Sequence, residues 1–179
     1  MLPQILVFGA VAGVLVAVPM CVMVANSEPG SAGHSQLVGY LTMLVALSLV
    51  FVGVKRYRDR ALGGVIRFGT ALGLGLGISA VAGVVYVIGW EVTLALTDYR
   101  FVDSFAAAAV EAKRASGASP AEVAKVAADM ATFKLQYMNR WFRMPVTFVE
   151  ILPVGIIVSL ISAALLRNSR FLPARRAPG

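Results

Sequence analysis

Four stretches of this sequence are long and apolar enough to require a hydrocarbon environment: roughly 4–25, 37–54, 68–97 and 145–166. At about 1.5 Å of rise per helical residue, such stretches match a bilayer core of about 30 Å. Composition agrees. The chain is 59% hydrophobic and 14% charged, far from the roughly half-apolar, quarter-charged average of soluble domains. The expected fold is all-α: one polytopic membrane domain over 1–179 with four transmembrane helices, and an extracytoplasmic helical hairpin inserted at 98–144 between spans three and four.

A formal net charge of +7 raises the prospect of nucleic acid, but the basic residues flank the spans, where orientation explains them better. Lys55, Arg56, Arg58, Arg60 and Arg67 crowd the connection 55–67, and Arg167, Arg170, Arg175 and Arg176 lie in the tail, whereas loop 26–36 has no Lys or Arg. The positive-inside rule then places both termini in the cytoplasm, with loop 26–36 and segment 98–144 outside. That segment holds seven basic and five acidic residues, but a long loop carries less topological weight than a short one.

The first span lacks a basic start and a small-x-small cleavage site before Ser27, so it is read as a true span and not a signal peptide. Cys21, the single cysteine, lies inside it and rules out a disulfide framework. His34, the single histidine, sits in a Gly/Ser loop without the spaced partners that a metal needs. No cofactor, metal ligand set or catalytic residue is expected.

In span three Gly69, Gly73 and Gly77 repeat every four residues, as do Ala71, Gly75, Ser79 and Gly83. Small residues at this spacing let helices approach closely in lipid, where no hydrophobic drive brings them together. The Gly69, Gly73 and Gly77 row is taken as a helix-packing surface, within one chain or in a homo-oligomer. Pro19 and Pro153 remove backbone donors inside spans one and four, which predicts bends near Leu15 and Val149.

Within 98–144, Ser119-Pro120-Ala121-Glu122 has the spacing of a capping box, with proline at the first helical position. Val123, Val126, Ala127, Met130, Phe133, Tyr137 and Trp141 follow at three- and four-residue steps, an amphipathic stripe. With a second helix over 101–115, this gives the hairpin. Its stripe faces the hairpin partner, the lipid surface or another protein.

Two carboxylates stand in or near the spans. Glu91 follows Gly73 by 18 residues, about five turns, which puts both on one face. From Arg67 it is about 36 Å along the helix, near the outer interface, where Trp90, Tyr86 and Tyr99 fit an aromatic belt. Glu150 is about 26 Å from Arg167, inside the outer hydrocarbon. A carboxylate there costs a few kcal/mol (about three) unless protonated, paired or wet. Arg140, Arg143 and Arg100 are the expected partners. Three readings stay open: pairs that hold the hairpin to the bundle, a binding or proton-relay site, and acid/base catalysis. The last lacks a nucleophile with its base.

The pieces "LVGYLTMLVALSLVFVGVKRYRDRALGGVIRFGTALGLGLGIS", "YVIGWE", "GASPAEVAKVAADMATFKLQYMN" and "MPVTFVEILPVGIIVSLISAALLR" together resemble a bacterial four-span inner-membrane family, domain of unknown function forty-one ninety-nine. The resemblance covers nearly the whole chain, implies that Glu91 and Glu150 are family features, and brings no established activity. The reading favoured is a non-enzymatic accessory or envelope-associated protein, in contact with membrane lipid and with a membrane or periplasmic protein partner, and without nucleic acid. The alternatives are a small cation- or proton-coupled carrier or channel, and a lipid-handling membrane enzyme.

Overall fold

The computed structural model describes residues 1–25 and 36–174; loop residues 26–35, including His34, and the tail arginines Arg175 and Arg176 lie outside the described residues. Six helices follow one another: α1 (Leu2–Ala25), α2 (Gln36–Ala61), α3 (Phe68–Leu96), α4 (Arg100–Ala115), α5 (Pro120–Met138) and α6 (Arg140–Leu166). No strand occurs among the described residues. Helices α1, α2, α3 and α6 are long and apolar enough to cross a membrane.

Two spans extend past their apolar stretches. Helix α2 continues from Val54 to Ala61 because Lys55 and Asp59 pair one turn apart at 2.5 Å, a spacing that supports a helix outside lipid. Helix α6 starts at Arg140, since the Asn139 side chain accepts a hydrogen bond from the Trp141 N–H at 3.0 Å and caps it. The helix runs on through Pro145 and Pro153 in α6, and through Pro19 in α1.

The four spans form a ring in which α1 packs on α3, α3 on α6, α6 on α2 and α2 on α1. Large aliphatic side chains such as Val7, Val45, Ile88, Val149 and Ile157 face outward, while Ala12, Ala46, Ala71, Ala82 and Ala163 are buried. That is the order expected where lipid surrounds the bundle and small residues mediate helix approach. Buried hydroxyls bond backward to their own helices: Thr93 to the Gly89 carbonyl (2.8 Å), Ser159 to that of Gly155 (2.7 Å) and Ser162 to that of Val158 (2.6 Å). Such back-bonding to the preceding turn is common for hydroxyls within helices.

Which small-residue row makes the close contact differs from the expectation. Gly75 lies against Ser159, where an added Cβ would come within 2.9 Å, and Gly155 lies reciprocally against Ser79 at 2.8 Å. The Ala71, Gly75 and Ser79 row therefore forms the α3–α6 contact. Gly69 and Gly73 meet nothing within 4 Å, and Gly77 meets Ile5 of α1. The two rows have equal spacing, so the sequence does not rank them; α6 selects the row opposite its own Gly155 and Ser159. On the other flank, Gly9 and Gly13 of α1 admit Val81 and Val85 of α3.

At the end of the bundle where α2 and α6 finish, Arg58 is fully buried. Its Nη1 donates to the Phe171 carbonyl (2.9 Å) and at longer range to that of Leu166 (3.4 Å), and its Nε donates to Asp59 Oδ1 (2.7 Å). Nη2 reaches the Leu172 carbonyl. One guanidinium thus pins the segment after α6 against α2.

Candidate functional site

The opposite end of the bundle is built around a second buried arginine. Helix α3 stops at Thr97, and Asp98 and Tyr99 take left-handed φ values of 49° and 58°. Such values are uncommon outside glycine, and rarer for a bulky side chain. The Tyr99 N–H to the Leu94 carbonyl (3.0 Å) closes the turn, and the ring comes to lie under Arg143, 5.3 Å from the guanidinium carbon.

Helices α4 and α5 then run beside each other, joined by Ser116–Ser119. The capping box is present: the Ser119 N–H donates to Glu122 Oε2 (2.9 Å) and the Glu122 N–H to Ser119 Oγ (3.4 Å). These bonds from the Ser119 backbone and side chain, with Lys113 nearby, hold the Glu122 carboxyl below its ordinary value. Lys134 of α5 pairs with Asp103 of α4. Val123, Val126, Met130 and Phe133 are half-buried and Tyr137 is buried, as the stripe predicts, whereas Ala127 is exposed. Trp141 departs from the stripe altogether, because Asn139 starts a new helix before it; it is 80% exposed.

A closed circuit of aromatic side chains joins this pair to the bundle. Trp90 meets Phe101 edge-on at 4.8 Å, Phe101 stacks on Phe105 (6.1 Å), Phe105 meets Phe133 (6.0 Å), and Phe133 meets Tyr137 (5.2 Å). The Trp90 indole N–H donates to the Tyr137 hydroxyl at 2.9 Å and closes the circuit. Trp90 and Tyr86 are buried at 5% and 2% exposure, so they are not part of an outward aromatic belt. The exposed tryptophan of this region is Trp141. Burial pushes the Tyr137 phenol above its ordinary 10.0, and the Trp90 and Thr147 hydrogen bonds and the Arg143 charge oppose this without cancelling it.

Arg143, 2% exposed, sits at the centre. Nε and Nη2 donate to the two oxygens of Glu91, each at 2.6 Å, and Nη1 donates to the Tyr137 carbonyl at 2.8 Å. Planar two-point pairing of this kind is the strongest common charged contact. It ties α6 to α3 and both to the end of α5. Glu91 therefore faces Arg143 from a half-buried position, whereas Gly73, about five turns earlier on α3, meets nothing within 4 Å.

The other expected partners are elsewhere. Arg100 turns back to the Thr97 carbonyl (3.1 Å), and Arg140 is exposed at the start of α6. Glu150 is exposed on the side of α6, interacts electrostatically with the Tyr86 and Tyr137 phenols, and makes no ion pair among the described residues. The structure thus brings together Glu91, Arg143 and Trp90 and leaves Glu150, Arg140 and Arg100 outside that network. Sequence reasoning missed Tyr137, Phe101 and Phe105 as site residues; their four-residue spacings, 101 to 105 and 133 to 137, were the available signal. Among the described residues no group of three His, Cys, Asp or Glu side chains is placed to hold a metal.

No curated protein and no solved structure matches the chain. A family model does, over residues 7–168, which takes in most of the first candidate span, the other three, α4, α5 and both glutamates. The chain belongs to the family described as Protein of unknown function (DUF4199).

Proposed function

We propose that this protein is a non-enzymatic accessory protein of a bacterial inner membrane, with both termini cytoplasmic and the α4–α5 hairpin outside, acting through helix packing and that hairpin. The observation that carries the reading is the Arg143 pair. The most deeply buried charge system at this end bridges α3, α5 and α6 and so holds the hairpin in a fixed pose on the bundle. A rigidly held outer element suits a protein that presents a surface to a partner. Arginine is the side chain best suited to such planar, many-donor bridging.

A cation- or proton-coupled carrier is the second reading, and Glu150 favours it, being a carboxylate within a span and without a basic partner. Glu91 speaks against it, since both of its oxygens are held by Arg143. A lipid-handling enzyme has no further observation in its favour.

The test uses the full chain in native membranes, with the photoreactive residue benzoylphenylalanine at Leu135, a 77% exposed position on α5. Stoichiometric adducts with one foreign protein are expected. Adducts with only a second copy or with lipid would overturn the accessory reading in favour of transport or lipid handling. Reporter fusions at residues 61 and 115 check the orientation: opposite sides are expected.

A further inference from the structure

Glu150 is the one charged side chain between Met144 and Leu166, and it makes no ion pair among the described residues. Glu150 lies ten residues below Arg140, about 15 Å along α6, and so beneath the interface that exposed Trp141 marks. Its surroundings on the outer surface are Val146, Val149 and Ile157, exposed at 43%, 57% and 54%. Pro153 follows one turn later inside the helix, and a proline has no N–H to give the carbonyl four residues back, that of Val149. This strip of α6 therefore offers two acceptors, a carboxylate that neighbours the Tyr86 and Tyr137 phenols but no cation among the described residues, and a backbone carbonyl lacking its helical donor. In hydrocarbon such groups are costly unless a donor reaches them.

A second copy of the chain has no cation to offer from these spans. Residues 2–25, 36–54 and 68–90 contain no charged side chain, and between Met144 and Leu166 the only one is Glu150 itself. Arg143 is buried and bound to Glu91. Two copies meeting on this face would set carboxylate against carboxylate. Charge complementarity calls for a different chain.

We infer that the Glu150 face of α6 docks a transmembrane helix of another protein, one that carries a lysine or arginine at the depth of Glu150. The inference rests on the accessory reading and gives the partner's chemistry. The basic side chain would pair with the carboxylate and reach the Val149 carbonyl with a remaining N–H, and Val146 and Ile157 would supply apolar contact above and below. The hairpin would then be a second, outer contact with the same partner.

The experiment places benzoylphenylalanine at Ile157, two turns below Glu150 on the same strip, in full-length protein in native membranes, beside the Leu135 probe. An adduct is expected with a protein whose crosslinked span contains a lysine or arginine. Glu150→Gln, which keeps shape and removes charge, is expected to lower its yield about tenfold, the effect of losing one charge-assisted hydrogen bond. Glu150→Lys is expected to abolish it, and replacing the partner's basic residue with glutamate to restore it. An adduct at Ile157 with lipid alone, with a second copy, or with a span lacking a basic residue overturns the inference, as does a yield that Glu150→Gln leaves unchanged. Unaltered membrane levels of each variant establish that it folds. Capture at Leu135 with none at Ile157 removes this inference and leaves the accessory reading standing; failure at both positions removes both.

Discussion

Arg58 and Arg143 are both buried, both near an end of the bundle, and both fully bonded, yet they are satisfied in opposite ways. Arg143 meets a carboxylate with two donors and a carbonyl with a third. Arg58 meets mainly carbonyls, those of Leu166, Phe171 and Leu172, and reaches its only carboxylate, adjacent Asp59, through Nε. The first is a charge pair between distant helices. The second is a charged hook that collects carbonyls of the segment after α6, with one from the last turn of that helix, a group every helix leaves exposed. The first holds the fold together; the second holds down a tail.

The largest effect expected from breaking this contrast is at Arg143. Arg143→Met leaves Glu91 half-buried without its partner and is expected to lower unfolding stability by about 3 kcal/mol, measured by denaturant titration in detergent micelles. Adding Glu91→Leu should restore most of the loss, because an apolar substitute for a buried pair is often tolerated when both partners go.

Arg58→Met comes next. The carbonyls it releases sit at the end of the bundle, where water can reach them, so the expected global loss is smaller, about 1–2 kcal/mol. The signature is local: tryptic cleavage after Arg170 accelerates, while the circular dichroism of the spans is unchanged. A global loss as large as that at Arg143 would erase the distinction between the two ends.

The smallest effect sharpens the comparison through pH. The folded Tyr137 phenol is held above 10.0 by burial, so above that pH the unfolded chain loses its proton first. The sign follows: this contribution is complete below pH 10 and is lost as pH rises past it. The tyrosinate absorbance of the native protein minus that of Tyr137→Phe should therefore lag behind that of the unfolded pair.

How much of this was legible in the sequence depended on what the acceptor was. Glu91 and Arg143 are isolated charges beside apolar runs, and such charges announce that they need each other. Arg58 stands in a basic run, where five cations look like an orientation signal, and its acceptors are carbonyls, which every residue carries and no sequence distinguishes. Glu150 was legible as an anomaly but not in its solution: the arginines expected to meet it were in reach by residue count, and the geometry gave the one buried arginine to Glu91. The capping box at Ser119 was readable because all its atoms lie within four residues. The choice of Gly75 over Gly73 was not, because it is made by a helix that begins at Arg140.

The Arg58 hook also sets an order of events in the life of each molecule. Its main acceptors lie 108 to 114 residues downstream, and at typical synthesis rates they emerge on the order of five to twenty seconds after it. Until then the guanidinium lacks the carbonyls that it binds in the finished fold. The second helix therefore waits, inserted but unlatched, and only a chain translated through to residue 172 can close this end.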